Sequence, residues 1–474
     1  MLFKNKLSID NIRKYIVGID KKVVLRNGKK VNYIYFDNAA TTPALIPVLE
    51  KVNEFLEWYS SIHRGTGYKS IISTRTYEKS KEIIADFFNV DLEKNTVIFV
   101  KNTTEAINKL SYRLLLNKND IVISSLMEHH SNDLPWRSKC NIQYINLLED
   151  GKLDLNDLEK KLNLYKGRVK LVAVTGCSNV TGYINDIHYI ASLSHKFGAK
   201  ILVDAAQLVP HRSINMKGRK SDDCIDFLVM SGHKLYAPFG TGVLIGPKNT
   251  FKVGEPEYTG GGTIISVSQN NVYYAEPPEK EEAGTPNIVG AVALAEAIKV
   301  ISEIGMDNIK AHEIKLTEYF IENISKIPDV KIYSNKDKSL IPYTAGVIAF
   351  EVQDIHHSLL ASLLAYEGGI GVRSGCFCAH PYVHKLLNLT PSEIRKLQQD
   401  MIFGRLKNTP GLVRVSFGMY NTFQEIDVFM DTLRYIIDNK ENICSQYRYI
   451  SSTGSYEPKA LPKNIYSEFT LWFI

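Results

Sequence analysis

An α/β fold is predicted, with a large domain on a mainly parallel sheet and a smaller α/β domain towards the C-terminus. Three observations carry this expectation. Between about residues 96 and 250, short apolar runs alternate with longer amphipathic ones. Polar, glycine-containing segments directly follow several of the apolar runs. After about Asn287 the pattern changes to a long helical stretch followed by a second α/β segment.

In order along the chain, the runs VIFVK (97–101), DIVIS (120–124), VKLVAVTG (169–176), KILVDAA (200–206) and DFLVMSG (226–232) read as strands. They are apolar nearly throughout, as strands are when helices cover both faces of a sheet. Thr104–Leu115 and Ile187–Phe197 read as helices, the second stopped by Gly198 at the position after its end. Strand–helix alternation of this kind favours parallel pairing. Ile288–Ile304 is a long helix, and Thr344–Glu351 is a strand of the second segment. The expected division is an N-terminal segment, 1–35, packing with the small domain; a large domain, 36–290; a small domain, 291–440; and a tail, 441–474, without a clear period.

The bulk properties exclude several function classes. With 474 residues the chain is too long for one small core. The net charge of +6 is spread rather than massed, so no basic stripe for nucleic acid is expected, although a modest positive patch for an acidic protein partner stays open. The N-terminus lacks the apolar core of a signal peptide, and no apolar run is long enough to span a bilayer. A cytoplasmic protein without membrane contact is expected, its six cysteines reduced.

In open parallel sheets, ligands bind at the carboxyl ends of the strands. Lys234 stands there in SGHKLYAPFGTG, directly after an apolar run. A lysine in a loop is often only a solvated surface charge, but desolvated at a strand end its amine can form a Schiff base. Asp204 ends KILVD, where a buried carboxylate can pair with the pyridinium nitrogen of pyridoxal phosphate (PLP); a turn or capping role is the alternative. Asn102-Thr103-Thr104-Glu105 opens a helix after a strand, which suits a phosphate as well as a plain cap. In Met127-Glu128-His129-His130-Ser131-Asn132, a histidine over an aromatic cofactor and a structural histidine are both open. Arg373-Ser374-Gly375-Cys376-Phe377-Cys378-Ala379-His380-Pro381 is a glycine-containing loop in which nearby Arg and His would keep a thiol accessible and lower its pKa. Two cysteines without a second pair make a poor zinc site, and no metal is expected.

Together these segments resemble the class V aminotransferase family, within it the SUF-type cysteine desulfurases and selenocysteine lyases. The matching stretches run in family order: YFDNAATTP (35–43), HRG (63–65), NTTEAIN (102–108), MEHHSN (127–132), SNVTG (178–182), VDAAQ (203–207), SGHKLY (231–236), GGGT (260–263), EAGTPN (282–287), RSGCFCAHP (373–381) and RVSFGMYN (414–421). The resemblance implies the type I fold of PLP-dependent transferases and a homodimer. It implies that Lys234 carries the cofactor as a Schiff base and shuttles the Cα proton. Asp204 would pair with the ring nitrogen, Gln207 would contact the ring hydroxyl and His129 would stack on the ring. Thr103, Thr104, Ser231 and His233 would hold the phosphate, with Thr263 reaching across from the partner subunit. Asn179 and Arg414 would bind the substrate carboxylate, with Arg373 near them, and Cys378 would receive the sulfur of L-cysteine as a persulfide. A sulfur-acceptor or scaffold protein, and a place in iron–sulfur cluster assembly, follow from the same resemblance.

Two features depart from the family pattern. Cys376 precedes Cys378 by two positions, where one cysteine is usual, and is expected to be a neighbour rather than a resolving thiol. The stretch between Pro381 and Arg414 is longer than in the SUF-type branch and reads as two amphipathic helical pieces broken at Thr390-Pro391. A selenocysteine lyase or another C–S lyase is the alternative activity. A transaminase or epimerase of the same fold, or a sulfur-relay protein, fits the intact Lys234, Asp204, His129 and Cys378 less well.

Overall fold

The computed structural model describes residues 6–460, so the outermost parts of the expected N-terminal segment and tail, 1–5 and 461–474, lie outside the described residues. The five apolar runs all form strands, and two further strands join them. In chain order the strands are β1 (Asn95–Val100), β2 (Ile121–Ser125), β3 (Asn141–Ile145), β4 (Val169–Thr175), β5 (Lys200–Asp204), β6 (Phe227–Ser231) and β7 (Gly242–Pro247). They make one sheet in the order β1-β7-β6-β5-β4-β2-β3. Pairing is parallel from β6 through β5, β4 and β2 to β3, as alternation with helices predicts. Strand β7 runs antiparallel to both β1 and β6. The connection from β6 to β7 is a short loop with no crossover helix, and without one the chain must double back.

Neither β3 nor β7 is evident in the sequence. Strand β7, GVLIGP, holds two glycines where neighbours leave no room for a side chain. A Cβ on Gly242 would stand 2.5 Å from the carbonyl oxygen of Met230, and one on Gly246 would stand 2.5 Å from the Phe227 ring. Helix Thr103–Arg113 and its neighbours cover one face with a cluster that includes Ile98, Leu110, Trp136, Leu171 and Phe227. The helix Ile187–Lys196 is followed by Gly198 at φ +78°, the left-handed stop expected there. Helix Ile288–Ile304 is apolar nearly all round and buried against the helices Ile46–Leu56 and Tyr68–Phe87.

The chain divides into two compact units. One comprises Thr41–Ser178 and Tyr183–Ala311 with the start of the chain; the other comprises Gly18–Ala40, Asn179–Gly182 and the chain from His312 on. The seven-stranded sheet belongs to the first. The second holds β8 (Val330–Ile332), β9 (Val347–Val352), β10 (Arg373–Gly375) and β11 (Leu412–Ser416), antiparallel in the order β8-β9-β11-β10. Its core gathers Phe36, Phe320, Phe350, Leu364, Phe417 and Phe429. The long stretch after Pro381 forms the helices His380–Leu386 and Pro391–Ile402, broken where expected, with Thr390 and Glu393 making a capping box. Past residue 440, a short helix (Lys440–Cys444) and the hairpin Tyr447–Ile450/Ser455–Pro458 give the tail more regular structure than its composition suggests. Among the described residues no helix is long and apolar enough to cross a membrane.

Candidate active site

In the first unit the candidates gather where adjacent strands end. Asp204 closes β5 and is buried; one carboxylate oxygen accepts the Ala206 N–H at 3.0 Å. Burial pushes its pKa up, and the Ala206 amide and the charge of Lys234 partly oppose this. A buried carboxylate whose neighbouring cation is the lysine of the next strand's loop is a site for a positively charged ligand group.

Lys234 ends the short 3₁₀ turn Gly232–Lys234, directly after β6. The turn is tied down at the His233 carbonyl, which accepts the Thr42 N–H at 2.9 Å and the hydroxyls of Thr41 and Thr42 at 3.0 and 3.1 Å. The Thr42 hydroxyl oxygen in turn accepts the Tyr236 N–H at 2.7 Å. Burial, with Lys234 adjacent, pushes the His233 imidazole down to about 4, so it is neutral at pH 7 and offers one N–H donor.

Helix Thr103–Arg113 starts beside this turn, with the Asn102 side chain accepting the Glu105 N–H at 3.0 Å as its cap. The Ser231 hydroxyl oxygen accepts the Thr103 N–H at 2.9 Å and lies 2.8 Å from the Thr103 hydroxyl. The Thr104 hydroxyl lies 2.7 Å from that of Ser131. Hydroxyls collected at a helix N-terminus fit a phosphate. His129 is fixed from its own loop: Nδ1 accepts the Ser131 N–H at 3.1 Å, which leaves the ring proton of a neutral imidazole on Nε2. Thr263 is fully buried, and its hydroxyl donates to the Gly260 carbonyl of its own turn at 2.8 Å.

Gln207 tests whether a cofactor fits here. It is 3% exposed, yet its Oε1 is buried with no hydrogen-bond partner among the described residues, while Nε2 lies 2.9 Å from His211 Nε2. A buried amide end without a partner, three residues after Asp204, calls for a polar ligand atom. Asp204, Gln207, Lys234 and the hydroxyls at the helix start thus offer PLP an acceptor for its ring nitrogen, an amide for its ring oxygen, an amine and a phosphate cradle.

The second unit holds the remaining candidates. Arg414 on β11 is 2% exposed; Nη1 donates to the Asn179 carbonyl and Nη2 to Asp37 Oδ1, both at 2.8 Å. Its Nε is buried and has no hydrogen-bond partner among the described residues. Register places Arg373 opposite Arg414, and the more exposed Arg373 reaches the other oxygen of Asp37 at 3.7 Å. The Asn179 side chain donates to the Phe377 carbonyl at 2.8 Å, and the Arg414 guanidinium sits over the Phe377 ring. This pins the loop just before Cys378.

Phe377 and Cys378 have φ of +51° and +56°, an uncommon pair of left-handed residues that leaves Cys378 exposed. Cys376 is more enclosed: its thiol donates to the Pro410 carbonyl at 3.5 Å, and burial pushes its pKa up to about 11. The exposure of Cys378 is what a thiol open to a substrate requires. Burial pushes the pKa of His380 down.

Four residues escaped the sequence reading. Thr42 and Asp37 lie in the YFDNAATTP stretch, but nothing in that string reveals that one anchors the lysine turn and the other pairs with Arg414. His211 sits four positions after Gln207, a spacing that signals a shared face only once the segment is known to turn. Glu128 accepts hydrogen bonds from Ser125, Asn132 and the Thr175 N–H, joining the ends of β2 and β4 to the His129 loop.

Residues 34–429 match the profile of the family described as Aminotransferase class-V. A probable cysteine desulfurase of Pyrococcus abyssi is 37% identical over 415 residues, covering 85% of this chain and 94% of the relative. One from Synechocystis is 33% identical over 413 residues, 85% of this chain and 91% of the relative. Among solved structures, a cysteine desulfurase from Thermococcus onnurineus superposes with a TM-score of 0.78 at 33% identity, over 92% of this chain and 99% of that one. The cysteine desulfurase CsdA of Escherichia coli gives 0.74 at 26% identity, with the same coverage.

Proposed function

The chain belongs to the class-V aminotransferase family, and on that footing we propose how its residues divide the work of a PLP-dependent cysteine desulfurase, the activity named for its relatives. The observation that carries the reading is the meeting of buried Asp204, the clamped Lys234 turn and the orphaned amide of Gln207 at the ends of parallel strands.

Bound there, PLP supplies an electron sink for the pair released when a substrate carbon loses its proton. Asp204 would keep the ring nitrogen protonated, His129 would lie against the ring, and Thr103, Thr104, Ser231 and His233 would hold the phosphate. Lys234 would hold the cofactor and would take and return the proton at the substrate Cα. Arg414 and Asn179 hold the substrate carboxylate, Arg373 beside them; the unpartnered Nε of Arg414 is a donor in reserve for it. Cys378, as thiolate, attacks the substrate Sγ: an S–S bond forms, the Cβ–Sγ bond breaks, and its electron pair goes to the carbon skeleton, which takes up a proton and leaves as alanine. Cys378 keeps the sulfur as a persulfide for an acceptor or scaffold protein of iron–sulfur cluster assembly.

A homodimer is part of the proposal. The hairpin after Gly260–Thr263 exposes Ile265, Val267, Val272 and Tyr273, an apolar surface suited to a second copy, whose phosphate site the Gly260–Thr263 turn would adjoin. We place the enzyme in the cytoplasm, where Cys378 stays reduced.

The test is a visible spectrum of the purified protein before and after L-cysteine. A yellow protein whose band changes on addition, releasing alanine with sulfide under reductant, is expected. Lys234→Ala should lose the covalent cofactor while retaining some PLP through the phosphate site. A protein that stays colourless after PLP is added refutes the cofactor; pyruvate with ammonia as products refutes the desulfurase.

A further inference from the structure

Gln207 and His211 are buried together just after β5, and they are joined through one nitrogen each. The segment turns continuously: Val209 and Leu208 donate to the Ala205 carbonyl, and His211 and Arg212 donate to that of Leu208. These turns bring side chains four positions apart to one side. The other end of the Gln207 amide is the buried oxygen without a partner.

A primary amide has an NH2 end that only donates and a carbonyl end that only accepts, and a half-turn about the last side-chain bond exchanges them with little other movement. The group on the held end therefore decides what the free end presents. If His211 Nε2 is bare, the NH2 faces it and a carbonyl oxygen faces the ligand. If Nε2 carries the proton, the carbonyl must face it and two N–H donors face the ligand. The ring oxygen of PLP beside a Schiff base carries negative charge and can only accept. A carbonyl turned towards it would set two acceptors against each other in a buried place.

We propose that His211 is a positioning residue: with the Gln207 amide given a half-turn from the orientation in which its Nε2 faces the ring, His211 donates from Nε2 to the Gln207 carbonyl and so presents the Gln207 NH2 to the cofactor's ring oxygen. This rests on the reading that Gln207 faces that oxygen, and goes beyond it by assigning what orients the amide. His211 touches neither cofactor nor substrate in this role; it acts through Gln207.

The test uses the PLP-loaded enzyme and three variants, Gln207→Leu, His211→Phe and the pair together. The readouts are the position of the visible band, the pH at which it changes and the rate of PLP loss, with the melting temperature of each apoprotein as the check on folding. Gln207→Leu should move the band and speed PLP loss by about 10-fold, the scale of one hydrogen bond to a charged group. His211→Phe should shift both in the same direction, by less. The double variant should match Gln207→Leu, because His211 reaches the cofactor only through the amide. His211→Gln, which retains a donor, should keep the wild-type band, and His211→Leu takes the place of His211→Phe in the comparison if that variant does not fold.

A silent His211→Phe beside an altered Gln207→Leu overturns the proposal and leaves the ring contact intact. So does a double variant whose shift is the sum of the two singles. A Gln207→Leu enzyme with an unchanged band and unchanged PLP loss refutes the ring contact itself.

Discussion

Cys376 and Cys378 differ in environment enough to be told apart by their chemistry. In Cys378→Ser, Cys376 is the one thiol left in the loop, enclosed, bonded to the Pro410 carbonyl and raised to about 11 by burial. At about pH 7.5 such a thiol is ionised to ~3 parts in 10,000, against ~1 part in 10 for a thiol near 8.5, a ~300-fold deficit. A more basic thiolate is the better nucleophile, and a Brønsted slope of ~0.45 over this difference recovers ~13-fold. Alkylation of Cys376 should therefore run about 20-fold slower than that of an unfolded-peptide thiol, before enclosure slows it further. The assay is iodoacetamide labelling followed by mass spectrometry, with the same variant in denaturant as the internal standard. The rate should climb about tenfold per pH unit up to about pH 10, because only the thiolate reacts. In the companion Cys376→Ser variant, the extra sulfur after one turnover should sit on Cys378, which the left-handed backbone leaves exposed. Peptide-like labelling of Cys376, or a rate that levels off below pH 9, refutes the account of its environment. Full turnover in Cys378→Ser with turnover abolished in Cys376→Ser shows that the acceptor is the other cysteine.

Three further outcomes follow from particular contacts. A Cβ on Gly411 would stand 2.7 Å from Gly375 Cα and 2.7 Å from His357 Nε2, so Gly411→Ala should destabilise the protein by about 1–3 kcal/mol, and an unchanged melting temperature contradicts that packing. Burial pushes Glu128 up to about 8, so the folded protein holds a proton there that the unfolded chain releases near its ordinary value; this stability is present at low pH and is lost as pH rises through about 8. Glu128→Gln should therefore gain on the wild type by roughly 3–5 kcal/mol between about pH 5 and 8, and parallel melting curves for the two proteins across that range refute it. Sedimentation should show a dimer, and an active monomer at micromolar concentration rules out a phosphate site that needs a second copy.

What could be read in the sequence follows physical lines. The five runs around VIFVK, DIVIS, VKLVAVTG, KILVDAA and DFLVMSG were legible because a strand covered on both faces must be apolar at nearly every position. Helix Ile288–Ile304 and the break at Thr390-Pro391 were legible because periodicity and capping are local. Strand β7 was not, since its glycines answer to Met230 and Phe227, residues that sequence distance hides. Asp37 was equally hidden: its partner Arg414 lies 377 positions away. Tertiary pairs of this kind leave no pattern in a single sequence, which is why Lys234 could be named from the string while the threonines that clamp its turn could not.

That hidden strand bears on the chemistry. Because β7 doubles back against β6, the loop between them must reverse within the few residues from Gly232 to Thr241, and Gly232 and Thr241 close it with a hydrogen bond of 2.8 Å. Tyr236 takes a φ of +61° to complete the reversal, and its N–H is held by Thr42. A parallel strand there would have needed a crossover connection, which would carry the chain away from the strand ends where Asp204 lies. The reversal instead keeps Lys234 three residues past the end of a strand whose register sets Asp204 opposite Val229. The lysine–aspartate pairing thus follows from sheet register and a tethered turn, which makes Thr42, distant from both in sequence, part of what holds the amine in place.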